Sequence, residues 1–265
     1  MIGTVRRQNK VLPLEWTSRG VVLTTRKHGE NDVILEALTL DHGRHLGLVR
    51  GGRSQRNRPV LQPGNELDLT WKARLSDHLG IFALEPQTLR AGALMTSAIG
   101  LAGLQHLAFL LKLLPERHPY PHLYDALNVV LEHLDAPDAA AALLIRFELE
   151  LLRDLGMGLD LTSCAATGQS EDLAYVSPKS GRAVSRDAGK PYHDRMLPLP
   201  SFLLEGQRQA GSELTWTDVT EGFTLTSYFV SSHLQERGNP DPGTRQHLIG
   251  ALERGYRKDF PWNFG

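Results

Sequence analysis

Five arginines crowd one short stretch of the sequence. Arg44, Arg50, Arg53, Arg56 and Arg58 fall between Asp41 and Glu66 with no acidic residue among them. A guanidinium keeps its charge at physiological pH, matches a phosphate with planar donors and offers a flat face for stacking on a base. The pattern therefore points to contact with a polyanion rather than to covalent chemistry. Arg26 and Lys27 follow an apolar run and would share a face with the stretch if the intervening strands pair as a meander; Arg74 follows a later run and completes the candidate set. The competing reading of the same residues is a loop that arginines simply solvate.

Residue patterns for catalysis are missing. Gly156 and Gly158 lack the third glycine of a dinucleotide fingerprint, because Leu161 stands there, and the pair follows a helical run rather than a strand. No phosphate-loop, nucleophile-turn or HExxH pattern occurs. His42 with His45, and His118 with His122, are spaced as metal ligands can be, yet each pair sits among turn residues without a third ligand. Cys164 is the single cysteine, which excludes an internal disulfide and a multi-cysteine metal site and fits a reducing cytoplasm. The chain reads as a non-enzyme.

Charge is divided along the chain. Residues 1–90 hold 14 Lys and Arg against 9 Asp and Glu, net +5, and residues 91–265 hold 15 against 21, net −6. A basic module joined to an acidic one suits a protein that meets a polyanion on one face, since released counterions drive such binding. Residues 1–15 are basic and polar and read as a loose tail or an upstream extension of the reading frame. Gly92 to Leu114 is the one apolar stretch of membrane length, but Thr96, Ser97, Gln105, His106 and three glycines make it a buried core helix instead, so no membrane contact is expected.

The elements that must position the arginines come first in the chain. Strands are expected over residues 20–25, 33–40, 45–49, 66–73 and 79–84, with Asp41, His42 and Gly43 as a tight turn. Five short strands over some 70 residues fit a small barrel, either of the OB type or of the SH3 type. Beyond Pro86 the leucine spacing becomes helical over residues 94–114, 123–134 and 139–155, with Gly156 as the terminating glycine. Residues 162–192 are rich in Ser, Gly, Thr and Asp and read as an irregular insert. Thr215 and Asp218 form a capping box for a helix over 219–234, and Pro242, Gly243, Thr244 and Arg245 open a last one.

Three blocks of sequence together resemble the RecO family of bacterial recombination mediators. The first is Gly29 to Asp32, Thr39 with His42 to Arg44, Val49 to Arg53, and Gln62 to Gly64. The second is Arg146 to Gly156 running into Leu159, Leu161 and Cys164, then Ala174 to Pro178 with Ser180 and Gly181. Tyr228, Phe229 and Pro242 to Arg245 make the third. The resemblance implies an α+β chain: an N-terminal five-stranded OB-fold barrel over 16–88, then a helical domain over 89–265 that contains a zinc-finger-like insert at 162–192.

It also implies a function. Members bind single- and double-stranded DNA, anneal complementary strands coated by single-stranded DNA-binding protein, and act with RecR to load RecA. A nucleoid-associated protein of the cytoplasm is the corresponding expectation. Under this resemblance Arg26, Lys27, Arg44, Arg50, Arg53, Arg56, Arg58 and Arg74 are the candidate DNA contacts. The tail of the single-stranded DNA-binding protein would dock on the helical domain, for which Arg146, Phe147 and Leu151 are candidates. Many members hold zinc in a four-cysteine finger, and counting forward from Cys164 puts the other three ligands at Thr167, Ser185 and Ala188. One thiolate does not make a tetrahedral site, so no zinc or other cofactor is expected, and packing around Leu173, Tyr175 and Val184 must stabilise the insert instead. The alternative from another class is a protein–protein adaptor that works through its acidic half, its DNA contact incidental.

Overall fold

The structure is a computed structural model that describes residues 14–204, 214–236, 243–260 and 262. The expected N-terminal tail lies almost wholly outside these residues, as does Pro242. The described residues up to Ala91, together with Glu116–Tyr120, form one compact unit; Gly92–Pro115 and the residues from Pro121 onward form a second.

The first unit is a closed barrel. Its strands are β1 Leu14–His28, β2 Asp32–Thr39, β3 Gly43–Val49, β4 Glu66–Ala73 and β5 Ile81–Thr88. They pair in the order β1-β2-β3-β5-β4, with β4 returning to β1. All pairings are antiparallel except the short parallel seam of β3 and β5 at Leu48 and Ile81, where the Leu48 amide donates to the Gly80 carbonyl at 3.0 Å. This order and this parallel seam are those of the OB fold, which settles what a count of five strands left open. Inside, Val22, Leu35, Leu67, Leu69, Trp71 and Phe82 alternate with outward-facing residues and make the core. Leu35, Leu67 and Leu69 are fully shielded, each contributing about 1.5–3 kcal/mol.

β1 is longer than its apolar run of 20–25 suggests, because one strand serves two neighbours. Residues 14–21 pair with β4 and residues 20–28 with β2. The exchange happens at Gly20, where a Cβ would stand 2.6 Å from the Leu69 side chain, and a bulge between Val22 and Thr24 adds the bend.

The unit also holds a strap that no sequence signal announces. Arg117 adopts a φ of 62°, its amide donates to the Arg44 carbonyl at 2.8 Å, and its guanidinium donates to the carbonyls of Ser76, Asp77 and His78 in the β4–β5 connection. The expected turn at Gly43 is confirmed with φ 65°, and the same glycine makes room for the strap: a Cβ there would sit 1.8 Å from the His118 carbonyl oxygen.

The second unit is mainly helical: α1 Ala91–Leu94 leads into α2 Ala98–Leu111, α3 Pro121–Glu132 and α4 Pro137–Asp154, with α5 Arg186–Gly189, α6 Trp216–Glu236 and α7 Thr244–Asp259 following. The apolar stretch 94–114 is not one helix. Ser97 interrupts it and caps α2, accepting from the Gly100 amide at 3.2 Å, so a serine that diluted a membrane segment turns out to be a helix start. No helix among the described residues is long and apolar enough to cross a membrane.

α4 packs against α2, α3, α6 and α7. It ends as its glycine predicts, with Gly156 at φ 84° and the Met157 amide returning to the Leu152 carbonyl at 2.8 Å. The capping box is present too: the Thr215 amide donates to Asp218 at 3.0 Å and the Asp218 amide to Thr215 at 3.1 Å. Inside this unit Glu148 of α4 is fully buried and is met by His106 Nε2 at 2.6 Å and by both terminal nitrogens of Arg245 at 2.9 Å.

The insert is more regular than its composition suggests. β6 Leu173–Val176 pairs with β7 Ala183–Ser185 and with β8 Leu197–Pro198 in a three-stranded sheet, and Leu173 and Val184 are buried. Strands this short carry too little periodicity to be read from sequence.

Candidate nucleic-acid interface

The pairing register explains how separated cations meet. Lys27 lies opposite Val33 across β1 and β2, and Val33 lies opposite Val49 across β2 and β3. The chain leaves β3 at Val49 and enters the arginine-rich connection at once, so residues 26–27 and residues 50–58 emerge from the same end of the sheet. Between them lies a cleft of 490 Å³ lined by Thr25, Arg26, Lys27, Val33, Gly52, Arg53, Arg58, Leu61 and Gln62. Four cations line it and no carboxylate does. Four like charges around one cleft repel one another, and an entering anion relieves that repulsion.

The connection holds its arginines by internal hydrogen bonds. The Arg58 amide donates to Ser54 at 3.0 Å, the Leu61 amide to Asn57 at 2.9 Å, and Asn57 Nδ2 to the Gly51 carbonyl at 3.1 Å. Asn65 then staples the far end, its Nδ2 donating to the carbonyls of Pro59 at 3.0 Å and Val60 at 2.9 Å. At the near end the Gly51 amide donates to Asp32 at 2.8 Å, and Arg53 bonds the β1–β2 turn twice, through its amide to Asn31 and through its guanidinium to the Glu30 carbonyl. Gly52 lies so close to Val33 that a Cβ would stand 2.4 Å from the valine side chain. Arg53 thus serves as both wall and brace of the cleft.

The sequence candidates separate once placed. Arg26, Lys27, Arg53 and Arg58 come together at the cleft. Arg50 and Arg56 are exposed on the same connection but outside its lining. Arg44 does not join them. It points instead to Glu36 at 2.6 Å and Glu116 at 3.5 Å, with only 12% of its side chain exposed, so its charge is neutralised within the barrel unit. Alternation along β3 accounts for this, because Arg44 stands within the paired strand and not beyond its end.

Arg74 lines a separate cleft of 330 Å³ with Lys72, Ala73, His78, Gly80 and Ile81, where Lys72 is paired with Glu15 at 2.8 Å. Sequence reasoning passed over Thr25 and Gln62 at the first cleft and Lys72 and His78 at the second. Of these only Gln62 stood in a motif. Among the described residues, Arg26, Lys27, Arg50, Arg56, Arg58 and Arg74 have no carboxylate partner within 4.0 Å.

The barrel interior near Trp16 is aromatic. His42 stacks on Trp16 with centroids 4.0 Å apart, and His45 meets Trp71 edge-on at 4.9 Å. Burial lowers the His45 ring to a pKa of about 4, its hydrogen bond to the Leu46 carbonyl opposing the shift only in part. Burial likewise lowers His42, against the attraction of Asp41. A neutral, buried imidazole adds nothing to anion binding, and among the described residues no three His, Cys, Asp or Glu side chains are gathered to hold a metal.

In the helical unit the docking candidates Phe147 and Leu151 need correction. They are 1% and 0% exposed, on the core side of α4, so they form no surface for a partner. Arg146 is exposed but donates to the Phe202 carbonyl, and Glu150, one turn further along α4, pairs with Arg153.

A four-cysteine zinc centre does not fit the insert. Cys164 is buried, and its sulfur accepts from the Ser185 amide at 3.2 Å. Burial pushes its thiol up, but hydrogen bonds from Ser185 and Thr167 outweigh this and bring it down to about 6. Thr167 and Ser185 are two of the positions where further zinc ligands would stand. The loops around Cys164 therefore keep their convergence with hydrogen bonds where a metal would need thiolates.

Comparison with known proteins covers most of the chain. Residues 14–84 match the family model described as Recombination protein O N terminal, and residues 98–240 the one described as Recombination protein O C terminal. Among curated relatives, the DNA repair protein RecO of a Chelativorans species is 53% identical over 242 residues, which is 91% of this chain and 96% of the relative. That of Methylorubrum populi is 53% identical over 247 residues, 92% and 100% of the two chains, and that of Brucella abortus 48% over 242, 91% and 97%.

Proposed function

Because this chain belongs to the RecO family, we propose that it is a DNA repair and recombination protein that acts by binding and not by catalysis, and that the cleft at the end of β1 is where DNA phosphates are held. In this reading it binds single and double strands and anneals complementary strands coated by single-stranded DNA-binding protein. It helps load RecA together with RecR. The observation that carries the proposal is the convergence of Arg26, Lys27, Arg53 and Arg58 around one cleft with no carboxylate in its lining.

The physics of annealing asks little more of the protein. Two strands repel through their phosphates, and cations held on a rigid barrel lower that repulsion, so that complementary bases meet without nucleotide hydrolysis. Arg26, Lys27 and Arg58 are exposed and make no ion pair among the described residues, so each is available to displace a counterion.

The test is a salt titration of DNA binding by the native protein and by the variant Arg26→Ala/Lys27→Ala/Arg58→Ala. Losing three phosphate contacts reduces the slope of log affinity against log salt by about 2–3. An unchanged slope and affinity would remove the cleft from the DNA site. If the native protein itself binds no naked DNA and acts only with partner proteins present, the adaptor reading replaces this one.

A further inference from the structure

The acidic half of the chain carries a basic island. Residues 177–195 hold 5 Lys and Arg against 2 Asp and Glu, net +3, within a half whose net charge is −6. Arg182 and Arg186 are paired with Asp160 and Asp172 at 3.2 and 3.1 Å. Lys179, Lys190 and Arg195 are exposed and have no carboxylate partner within 4.0 Å among the described residues. The register of the small sheet brings two of these together. Val176 lies opposite Leu197 across β6 and β8, Lys179 follows by three residues on one strand and Arg195 precedes by two on the other, so both leave the same end of the sheet.

The same segment presents an aromatic ring to solvent. Tyr192 is 58% exposed, on a 3-10 turn formed by Lys190–Arg195. Tyr228 and Trp262 are exposed too, but each meets a neighbouring ring, Phe229 and Phe260, whereas Tyr192 has no ring neighbour among the described residues. A 3-10 turn has three residues per turn, so side chains three apart eclipse. Tyr192 therefore shares a face with Arg195, while Asp194 falls on another and pairs with His193 at 2.8 Å. The turn is held against the sheet. Gly189 lies so close to Tyr175 of β6 that a Cβ would stand 2.4 Å from that ring, and the Met196 amide closes the turn on the His193 carbonyl at 3.2 Å. The fold gains little burial from a ring so placed, and an exposed ring on a fixed turn is a ready stacking platform.

We propose that this face of the insert is a second nucleic-acid contact, on which one base of a single strand stacks on Tyr192 while Arg195 and Lys179 meet the phosphates beside it. The proposal rests on the DNA-binding reading and adds to it a site in the other unit that shares no residue with the barrel cleft. A ring beside a guanidinium fits a base joined to a phosphate, because stacking and backbone charge are the two components of strand binding without sequence preference. A duplex keeps its bases stacked on one another and offers this face phosphates alone. An acidic peptide matches its charge but not its ring.

The experiment titrates an oligothymidylate and a duplex of equal length with salt against the full-length protein and against Tyr192→Ala, Tyr192→Phe and Lys179→Ala/Arg195→Ala. Each variant is also combined with Arg26→Ala/Lys27→Ala/Arg58→Ala. All the substituted side chains in the insert are exposed, so its small sheet keeps its packing. Tyr192→Ala should weaken single-strand binding about fivefold at an unaltered salt slope and leave duplex binding as it is, and Tyr192→Phe should bind as the native protein does. Lys179→Ala/Arg195→Ala should lower the single-strand slope by about 1.4. These effects should persist when the cleft is altered too. A strand carrying 5-iodouracil, irradiated on the native protein, should crosslink to Tyr192.

Unchanged single-strand affinity in Tyr192→Ala overturns the proposal, as does the absence of a crosslink at Tyr192; a lowered slope in the cleft variant would then leave the proposed function standing without it. An equal loss on strand and duplex also overturns it, because no base is then stacked. If naked-strand binding is unchanged in every insert variant while annealing of protein-coated strands is lost, the face docks a protein and the proposal falls. If the insert variants weaken strand binding as expected and the cleft variant changes nothing, the second contact stands and the cleft is removed from the DNA site.

Discussion

Arg44 and Arg58 stand fourteen positions apart in one arginine-rich stretch, yet the structure places one in a buried ion pair and the other at an open cleft, and exchanging each for alanine tests the proposed difference in role. Arg44 donates to Glu36 at 2.6 Å, and the two side chains are 12% and 10% exposed. Removing it takes away the charge-assisted bond to Glu36, while the Thr24 hydroxyl at 3.1 Å remains among the partners of that carboxylate. A hydrogen bond to a charged group contributes about 1.5–3 kcal/mol, and an unpaired buried charge costs about 3–5 kcal/mol. Because a tenth of each side chain still meets water, Arg44→Ala should cost about 2–3 kcal/mol.

Arg58 is exposed at the cleft, so Arg58→Ala should change stability by about 0.5 kcal/mol or less while reducing the salt slope by about 0.9 on duplex and about 0.7 on single strands. Urea denaturation followed by tryptophan fluorescence, to which buried Trp71 contributes from inside the barrel, gives the first quantity, and DNA binding by anisotropy across a range of salt gives the second. The division of labour is refuted if Arg44→Ala shifts the salt slope as much as Arg58→Ala does while leaving the denaturation midpoint in place.

Other consequences can be measured independently. Glu148→Gln removes the charge that Arg245 and His106 surround and should destabilise the helical unit by about 3–5 kcal/mol, seen as a lower urea midpoint; a loss under about 1 kcal/mol would contradict the network. Burial alone would raise the Glu148 carboxyl, but Arg245 and His106 reverse this and hold it below its ordinary value. Its contribution is therefore present above the ordinary carboxylate range and lost as pH falls through the lowered value.

His45 titrates at about 4 in the folded chain and near 6.5 when unfolded, so the unfolded state binds more protons between those values. Stability should accordingly fall by up to about 3 kcal/mol as pH drops from about 6.5 to about 4, and His45→Phe should flatten that part of the pH profile. For the insert, metal analysis of the purified protein should find no stoichiometric zinc, and a chelator should leave the melting temperature unchanged; one zinc per chain, lost on chelation together with stability, would reverse the account of Cys164. Arg117→Lys keeps the charge but not the fork that reaches three carbonyls, and faster amide exchange over residues 74–80 is the expected result.

Sequence alone determined what short-range chemistry encodes. Alternating apolar residues marked the strands, leucine spacing the helices, Gly156 the end of α4 and the Thr215–Asp218 pair the start of a helix, because each of these depends on residues within one or two turns of each other. It likewise located the acid-free arginine stretch and, through its spread of motifs, the family. Only tertiary structure decided which arginines lie together. Arg44 and Arg58 share a residue type, and their surroundings divide according to whether the chain is still paired in β3, where a side chain meets its cross-strand neighbours, or has left the sheet for solvent. The same holds for Phe147 and Leu151, which α4 turns inward, and for Arg117, whose reach to the β4–β5 connection bridges about forty residues of sequence. Such contacts are set by register, barrel closure and helix packing, which join residues distant in sequence and leave no local pattern to read.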